Sequence, residues 1–247
     1  MDAIPKSAEE GLFLAKVAEQ SERYEDILSF LKPVIAKTEE LTQEERNLFS
    51  IAYKNLSGNK RTAWRSLNVI QDNPKYAKFQ DKTKSYKKKV EDELKKICME
   101  LIATVDSSLL GKASTAEAKA YYLKLKGDYF RYISEVVAGT ELEDVSKKAQ
   151  ENYAAAQEAA KGMEPTHPIR LGLALNLSVF TFEILKKPKD ACALAKKAFD
   201  EAVEGLQKLE EGEYKESSSI MQLLKDNLTL WESEAEEGDD AAAKKPE

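Results

Sequence analysis

Apolar residues in this chain recur at intervals of three and four rather than two, and only 10 glycines and 7 prolines punctuate its 247 residues. That period belongs to helices with one buried face, and no segment reads as a strand. Ser7 with Glu10, Thr42 with Glu45 and Ser114 with Glu117 each match the capping box, in which a hydroxyl and a carboxylate satisfy free amides at a helix start. Asn73-Pro74 marks a stop and restart. Gly111, Gly139 and Gly162 suit positions just past a helix end, and Pro165, Pro168 and Pro188 bracket further breaks. These signals predict helices over residues 8–20, 22–36, 43–71, 75–109, 115–138, 141–161, 168–186, 189–210 and 217–233. Short connections favour antiparallel neighbours, so the expected fold is all-α, with about nine helices in one domain over residues 1–232.

Composition narrows the function classes. With 38 Lys and Arg against 44 Asp and Glu the net charge is −6, which argues against a general nucleic-acid binder. Much of that charge is terminal: beyond Trp231 the sequence is dominated by acids, and residues 233–247 are expected to form an acidic, disordered tail. Cys98 and Cys192 have no second Cys or His at ligand spacing, so neither a metal site nor a disulfide is expected. No basic region followed by an apolar stretch opens the chain and no long apolar run occurs, so a cytoplasmic protein without membrane insertion is the expectation. The only histidine, His167, sits between Pro165 and Pro168 with no nucleophile or glycine-rich phosphate loop, so neither catalysis nor a cofactor is expected.

Charge is also unevenly placed inside the folded part. Residues 46–71 carry Arg46, Lys54, Lys60, Arg61 and Arg65 and no acid. Lys54 and Arg61, seven positions apart, lie about 20° from alignment on a helix, and local acids at three or four positions do not neutralise them. Such a segment calls for an anion from elsewhere. Further on, Lys124, Asp128, Arg131 and Glu135 share one stripe beside Tyr132. That stripe is either a surface face laced by ion pairs, or a set that joins Lys54 and Arg61 around one phosphate, with a guanidinium fork, an ammonium and a phenol converging on it. Gly172, Asn176, Val179 and Glu183 form a stripe in one apolar helix, and Ile220, Leu223, Asn227 and Leu230 form another beside Trp231. Each asparagine is a structural amide or a clamp for the main chain of an extended peptide. The lysines at 82, 84, 87, 88 and 89 read as a solvated face, with contact to an anionic surface as the alternative.

Four stretches carry a resemblance: RNLFSIAYKN at residues 46–55, GDYFRY at 127–132, PTHPIRLGLALN at 165–176 and IMQLLKDNLTLW at 220–231. They resemble the 14-3-3 family over roughly residues 10–232. The resemblance implies a cup-shaped protomer with an amphipathic groove, which dimerises and binds phosphoserine or phosphothreonine motifs of client proteins as an adaptor regulating their activity, localisation or assembly. By matching position, Lys54, Arg61, Arg131 and Tyr132 would hold the phosphate, Asn176 and Asn227 the peptide main chain, and Asp128 and Glu135 would orient the cations. Leu175, Val179, Glu183, Ile220, Leu223, Leu230 and Trp231 would wall the groove. The implied dimer, with itself or a related chain, sets Leu12, Phe13, Ala15, Lys16, Arg23, Tyr24 and Asp26 against Ala63, Val69, Tyr86, Lys89 and Glu93, pairing Arg23 with Glu93 and Asp26 with Lys89. The implied compartments are cytoplasm and nucleus. Ala63 stands where several relatives carry a phosphorylatable serine, and Ser219, Leu177 and Thr181 replace bulkier apolar or aromatic residues. The alternative function is a helical scaffold or chaperone that grips apolar segments without regard to phosphorylation.

Overall fold

The computed structural model describes residues 5–243, with side chains described through residue 234. Among the described residues there are nine α-helices and no strand: α1 Ala8–Gln20, α2 Tyr24–Lys37, α3 Gln43–Gln71, α4 Gln80–Thr104, α5 Ala116–Ser134, α6 Gly139–Ala159, α7 Pro168–Glu183, α8 Pro188–Leu206 and α9 Glu211–Ala243. The helix expected over 75–109 is three pieces. A 3-10 segment, Pro74–Phe79, precedes α4, and a π-helical turn, Val105–Leu109, follows it. Asn73 accepts from the Lys75 amide ahead of Pro74, so the short segment has its own cap. At the other end α9 begins before the expected residue 217 and carries the backbone of the acidic stretch in helix to Ala243. The remainder of that stretch, 244–247, lies outside the described residues.

The three expected capping boxes fare differently. Thr42 and Glu45 form a complete one, with the Glu45 amide donating to the Thr42 hydroxyl at 3.3 Å and the Thr42 amide to the Glu45 carboxylate at 2.8 Å. Ser7 accepts from the Glu10 amide, but the Glu10 carboxylate receives the Lys6 amide instead, so that box is not reciprocal. Ser114 is not a cap at all. Its amide and hydroxyl both donate to Glu40, and the start of α5 is satisfied by Thr115, which accepts from the Ala118 amide at 3.1 Å. A carboxylate distant in sequence outcompeted the local pattern.

The chain divides into two compact units. One holds α1 to α4 together with residues 135–138. There α1 packs on α2, α2 on α3 and α3 on α4, around Ala15, Ile27, Leu31, Phe49, Leu94 and Leu101. The other holds α5 to α9. In it α5 lies along α6, α7 packs on both α8 and α9, and a core of Leu171, Ala191, Ala195, Ala202, Leu224 and Trp231 joins the last three helices. Small residues set two local geometries. A Cβ on Gly127 would sit 2.7 Å from the Tyr153 ring, so α5 can lie this close to α6 only with glycine there. Gly139 enters α6 at φ +61°, a left-handed conformation that glycine adopts without steric penalty.

Candidate functional site

The acid-free run of α3 is met in part by carboxylates from elsewhere in its own unit. Lys60 pairs with Glu93 at 2.6 Å, and Arg61 makes a two-pronged contact with Glu135, Nε to Oε2 at 2.9 Å and Nη2 to Oε1 at 2.7 Å. Arg65 reaches the same carboxylate at 3.4 Å. The anion that the sequence called for is therefore partly internal, and it fixes the Arg61 guanidinium in one plane. Lys54 differs: it is exposed, and it forms no ion pair among the described residues.

In the second unit the stripe on α5 is not a surface face. Asp128 is 4% exposed and Arg131 6%. One carboxylate serves as a hub: Asp128 accepts from the Lys124 ammonium at 2.9 Å, from the Tyr153 hydroxyl at 2.7 Å and from the Asn176 amide at 2.8 Å. The Arg131 Nε donates to the Tyr153 hydroxyl at 3.4 Å, and its guanidinium lies 4.7 Å from the centre of the Tyr132 ring. Charge at these positions is held in place electrostatically. Burial opposes the charged form of Lys124, but Asp128, helped by Tyr132 and Tyr121, outweighs it and raises the ammonium above its ordinary value. For Arg131 burial likewise works against the charge, while Tyr153, Tyr132 and Asp128 prevail and secure it. Burial, and after it the Asp128 carboxylate, drives the Tyr153 phenol well up, so it stays a neutral donor.

Of the expected residues, the structure brings Lys124, Asp128, Arg131, Tyr132 and Asn176 into one network within this unit, and brings Glu135 onto Arg61 in the other. Tyr153 was missed by sequence reasoning. The signal was available: Val145, Ala149, Tyr153 and Ala156 form the buried stripe of α6, and a tyrosine among small residues facing a glycine is one whose hydroxyl needs a partner.

The residues expected to form an apolar wall lie on α7 and α9. Leu175, Val179 and Ile220 are half-buried against their shared core, and Leu223 and Leu230 are 52% and 53% exposed. Asn227 is half-buried, Glu183 exposed. Trp231 is a correction: it is 4% exposed and stacks on Phe182 at 4.7 Å, so it belongs to the core of this unit and not to its surface. Thr181 is buried, donating to the Leu177 carbonyl, and Ser219 is exposed, donating to the Lys215 carbonyl, so neither replacement leaves its hydroxyl unmatched. A cavity of about 240 Å³ in the same unit lies elsewhere, among Arg170, Leu173, Leu177, Leu194, Lys197 and Glu201.

The charged residues expected at a dimer contact are partnered within the chain. Arg23 pairs with Asp26, and Glu93 with Lys60 and, at 3.9 Å, Lys89. Ala15 is fully buried in its own protomer, which removes it from that contact set. Phe13, Val69 and Tyr86 are 64%, 72% and 58% exposed, and Leu12, Lys16, Tyr24 and Ala63 are half-buried.

Among the described residues no group of three or more His, Cys, Asp or Glu is arranged to hold a metal ion, and no helix is long and apolar enough to cross a membrane. Helical hairpins carrying a cationic cluster wired to the Asp128 carboxylate, together with apolar residues on α7 and α9, define the chain as an all-α protein. The 14-3-3 protein family model matches residues 14–232, and the chain belongs to that family. It is 51% identical to 14-3-3-like protein 2 of Caenorhabditis elegans over 223 residues, 90% of each chain. To 14-3-3-like protein B of Hordeum vulgare it is 50% identical, over 94% of this chain and 90% of the relative. To 14-3-3 protein beta/alpha of Rattus norvegicus it is 51% identical, over 91% of this chain and 93% of the relative. Membership gives an adaptor or regulatory role exercised by binding protein partners, in a non-enzymatic family.

Proposed function

We propose that this chain is a phosphorylation-dependent adaptor, which binds phosphoserine or phosphothreonine segments of client proteins and so regulates their activity, localisation or assembly in the cytoplasm and nucleus. Lys54, Arg61, Arg131 and Tyr132 contact the phosphate. Asn176 and Asn227 hold the peptide main chain, and Leu175, Val179, Glu183, Ile220, Leu223 and Leu230 face its side chains.

The observation that carries this reading is the Asp128 hub. An arginine 6% exposed is costly to maintain unless its surroundings are built to keep it charged, and here three side chains do so. The same carboxylate takes one N–H of Asn176, which leaves that amide a second N–H and a carbonyl oxygen for a peptide backbone. Rigid donors of this kind suit a dianionic ligand with three acceptor oxygens.

The test is calorimetry with one peptide in phosphorylated and plain forms. Lys54→Glu is the most informative substitution, because Lys54 is exposed and unpaired among the described residues, so its loss removes a phosphate contact without opening the fold. A charge-assisted contact is worth roughly 1.5–3 kcal/mol, so phosphopeptide affinity falls at least tenfold while helix content is unchanged. Equal affinity for the two peptides would instead identify a scaffold or chaperone for apolar segments.

A dimer belongs to the same proposal. Phe13, Val69 and Tyr86 are large, exposed and apolar within a single unit. Leu12, Arg23, Asp26, Tyr86, Lys89 and Glu93 form the contact, with the intramolecular pairs of Arg23 and Glu93 exchanged for pairs across the interface. Two linked sites would raise the affinity of a doubly phosphorylated client by on the order of 10² to 10⁴. A single-protomer mass at micromolar concentration in sedimentation experiments would overturn this part.

A further inference from the structure

The 3-10 segment Pro74–Phe79, with Lys82 and Lys84 at the start of α4, carries side chains that neither the groove nor the proposed dimer contact uses. Every residue of the segment is exposed, including Tyr76 at 38% and Phe79 at 58%. In a 3-10 helix residues three apart eclipse one another, so Lys75 and Lys78 form one row and Tyr76 and Phe79 the next. Each ammonium stands over its neighbouring ring, Lys75 at 5.5 Å from the Tyr76 centroid and Lys78 at 5.8 Å from that of Phe79. Lys82 and Lys84 continue the positive charge on exposed turns of α4. Among the described residues none of these four lysines forms an ion pair, whereas Lys88 is held by Glu91 and Asp92, and Lys89 by Glu93.

We propose that Lys75, Lys78, Lys82 and Lys84, with Tyr76 and Phe79, form a peripheral docking site for an anionic phospholipid bilayer. The composition fits that occupant on two counts. Exposed aromatic rings paired with lysines are the side chains that settle at the headgroup level, ring inward and ammonium toward phosphate. A cluster of lysines without acid partners gains from the negative potential of a bilayer surface, by about fivefold in binding per lysine. A polynucleotide is the poorer match. The site presents no arginine fork for phosphate or base edges, and the net charge of −6 opposes a long polyanion that tracks the surface, while a six-residue segment touches a membrane at one spot.

The test is sedimentation of the full chain with vesicles of phosphatidylcholine alone, or with about 30% phosphatidylserine, at low and physiological salt. The chain sediments with the phosphatidylserine vesicles only, and less so as salt rises. Replacing all four lysines, K75Q, K78Q, K82Q and K84Q, lowers that binding by at least about tenfold. The pair Y76S and F79S lowers it severalfold with the salt dependence retained, because the apolar contribution is lost and the charge kept. Circular dichroism and phosphopeptide affinity, which these variants should leave unchanged, separate this result from a failure of the groove. Equal sedimentation with both vesicle types, unchanged binding by the lysine variant, or tighter binding to a single-stranded oligonucleotide than to phosphatidylserine vesicles overturns the proposal.

Discussion

Replacing Asp128 with alanine should be among the most damaging single changes in the second unit. The carboxylate is 4% exposed and accepts from Lys124, Tyr153 and Asn176 at 2.9, 2.7 and 2.8 Å. Its removal leaves an ammonium without its partner, a buried phenol without an acceptor and a half-buried amide loose. Breaking a buried ion pair from one side costs about 3–5 kcal/mol, and a buried hydroxyl left unmatched costs about 1–3 kcal/mol more. Part of this is recovered by relaxation, so a net loss near 4 kcal/mol is expected, a fall of about 8–16 °C in melting temperature for a chain of this size. Urea unfolding followed by far-ultraviolet circular dichroism measures it. The decisive comparison is a double-mutant cycle with Lys124→Met. Once the ammonium is absent, losing the carboxylate should hurt less, with a coupling of at least about 1.5 kcal/mol. Additive effects, or an Asp128→Ala cost below about 1 kcal/mol, would refute the view that this residue organises its surroundings.

Further expectations concern other elements. Gly127→Ala drives a methyl group to within 2.7 Å of the Tyr153 ring, so it should destabilise by about 1–3 kcal/mol and weaken phosphopeptide binding through the displaced hydroxyl, read by urea unfolding and calorimetry. Thr42→Ala removes one half of the only complete capping box among the three expected and should cost about 1 kcal/mol by the same unfolding assay, with no change in peptide affinity. Burial pushes the Cys98 thiol up from 9.0 to about 12, so its reactive thiolate forms only as pH climbs toward that value. A thiol reagent near neutral pH should therefore modify half-exposed Cys192 and spare Cys98 until the chain unfolds, as mass spectrometry of the labelled peptides would reveal. Arg61→Ala should lower stability as well as affinity, because Glu135, whose side chain is 9% exposed, loses its two-pronged partner.

Helix identity was legible because it depends on local period and on breakers, and α1 and α3 begin and end where residues 8–20 and 43–71 predicted. The helix expected over 75–109 was not resolved into its pieces, since the 3-10 and π segments at its ends, Pro74–Phe79 and Val105–Leu109, are too short to display a period of their own. Ser114 failed as a cap for a different reason: Glu40, 74 residues away, claims it, and no local pattern registers a partner that distant. The same limit applies at the site. The positive character of α3 and α5 could be read from residue types, yet Glu135 on Arg61 and Tyr153 on Asp128 arise from tertiary packing. Trp231 was misjudged because an apolar stripe does not state which of its members faces solvent.

The two tryptophans fall one to each compact unit, Trp64 on α3 donating to Glu91 at 3.0 Å and Trp231 on α9 stacked on Phe182. Their emission should differ, one indole hydrogen-bonded to a carboxylate beside the Lys87 ammonium and the other pressed flat against a neighbouring ring in an apolar interior. Single Trp→Phe replacements would thus give each half of the molecule its own intrinsic dye, and the order in which the halves lose their colour on heating would be visible without any attached label.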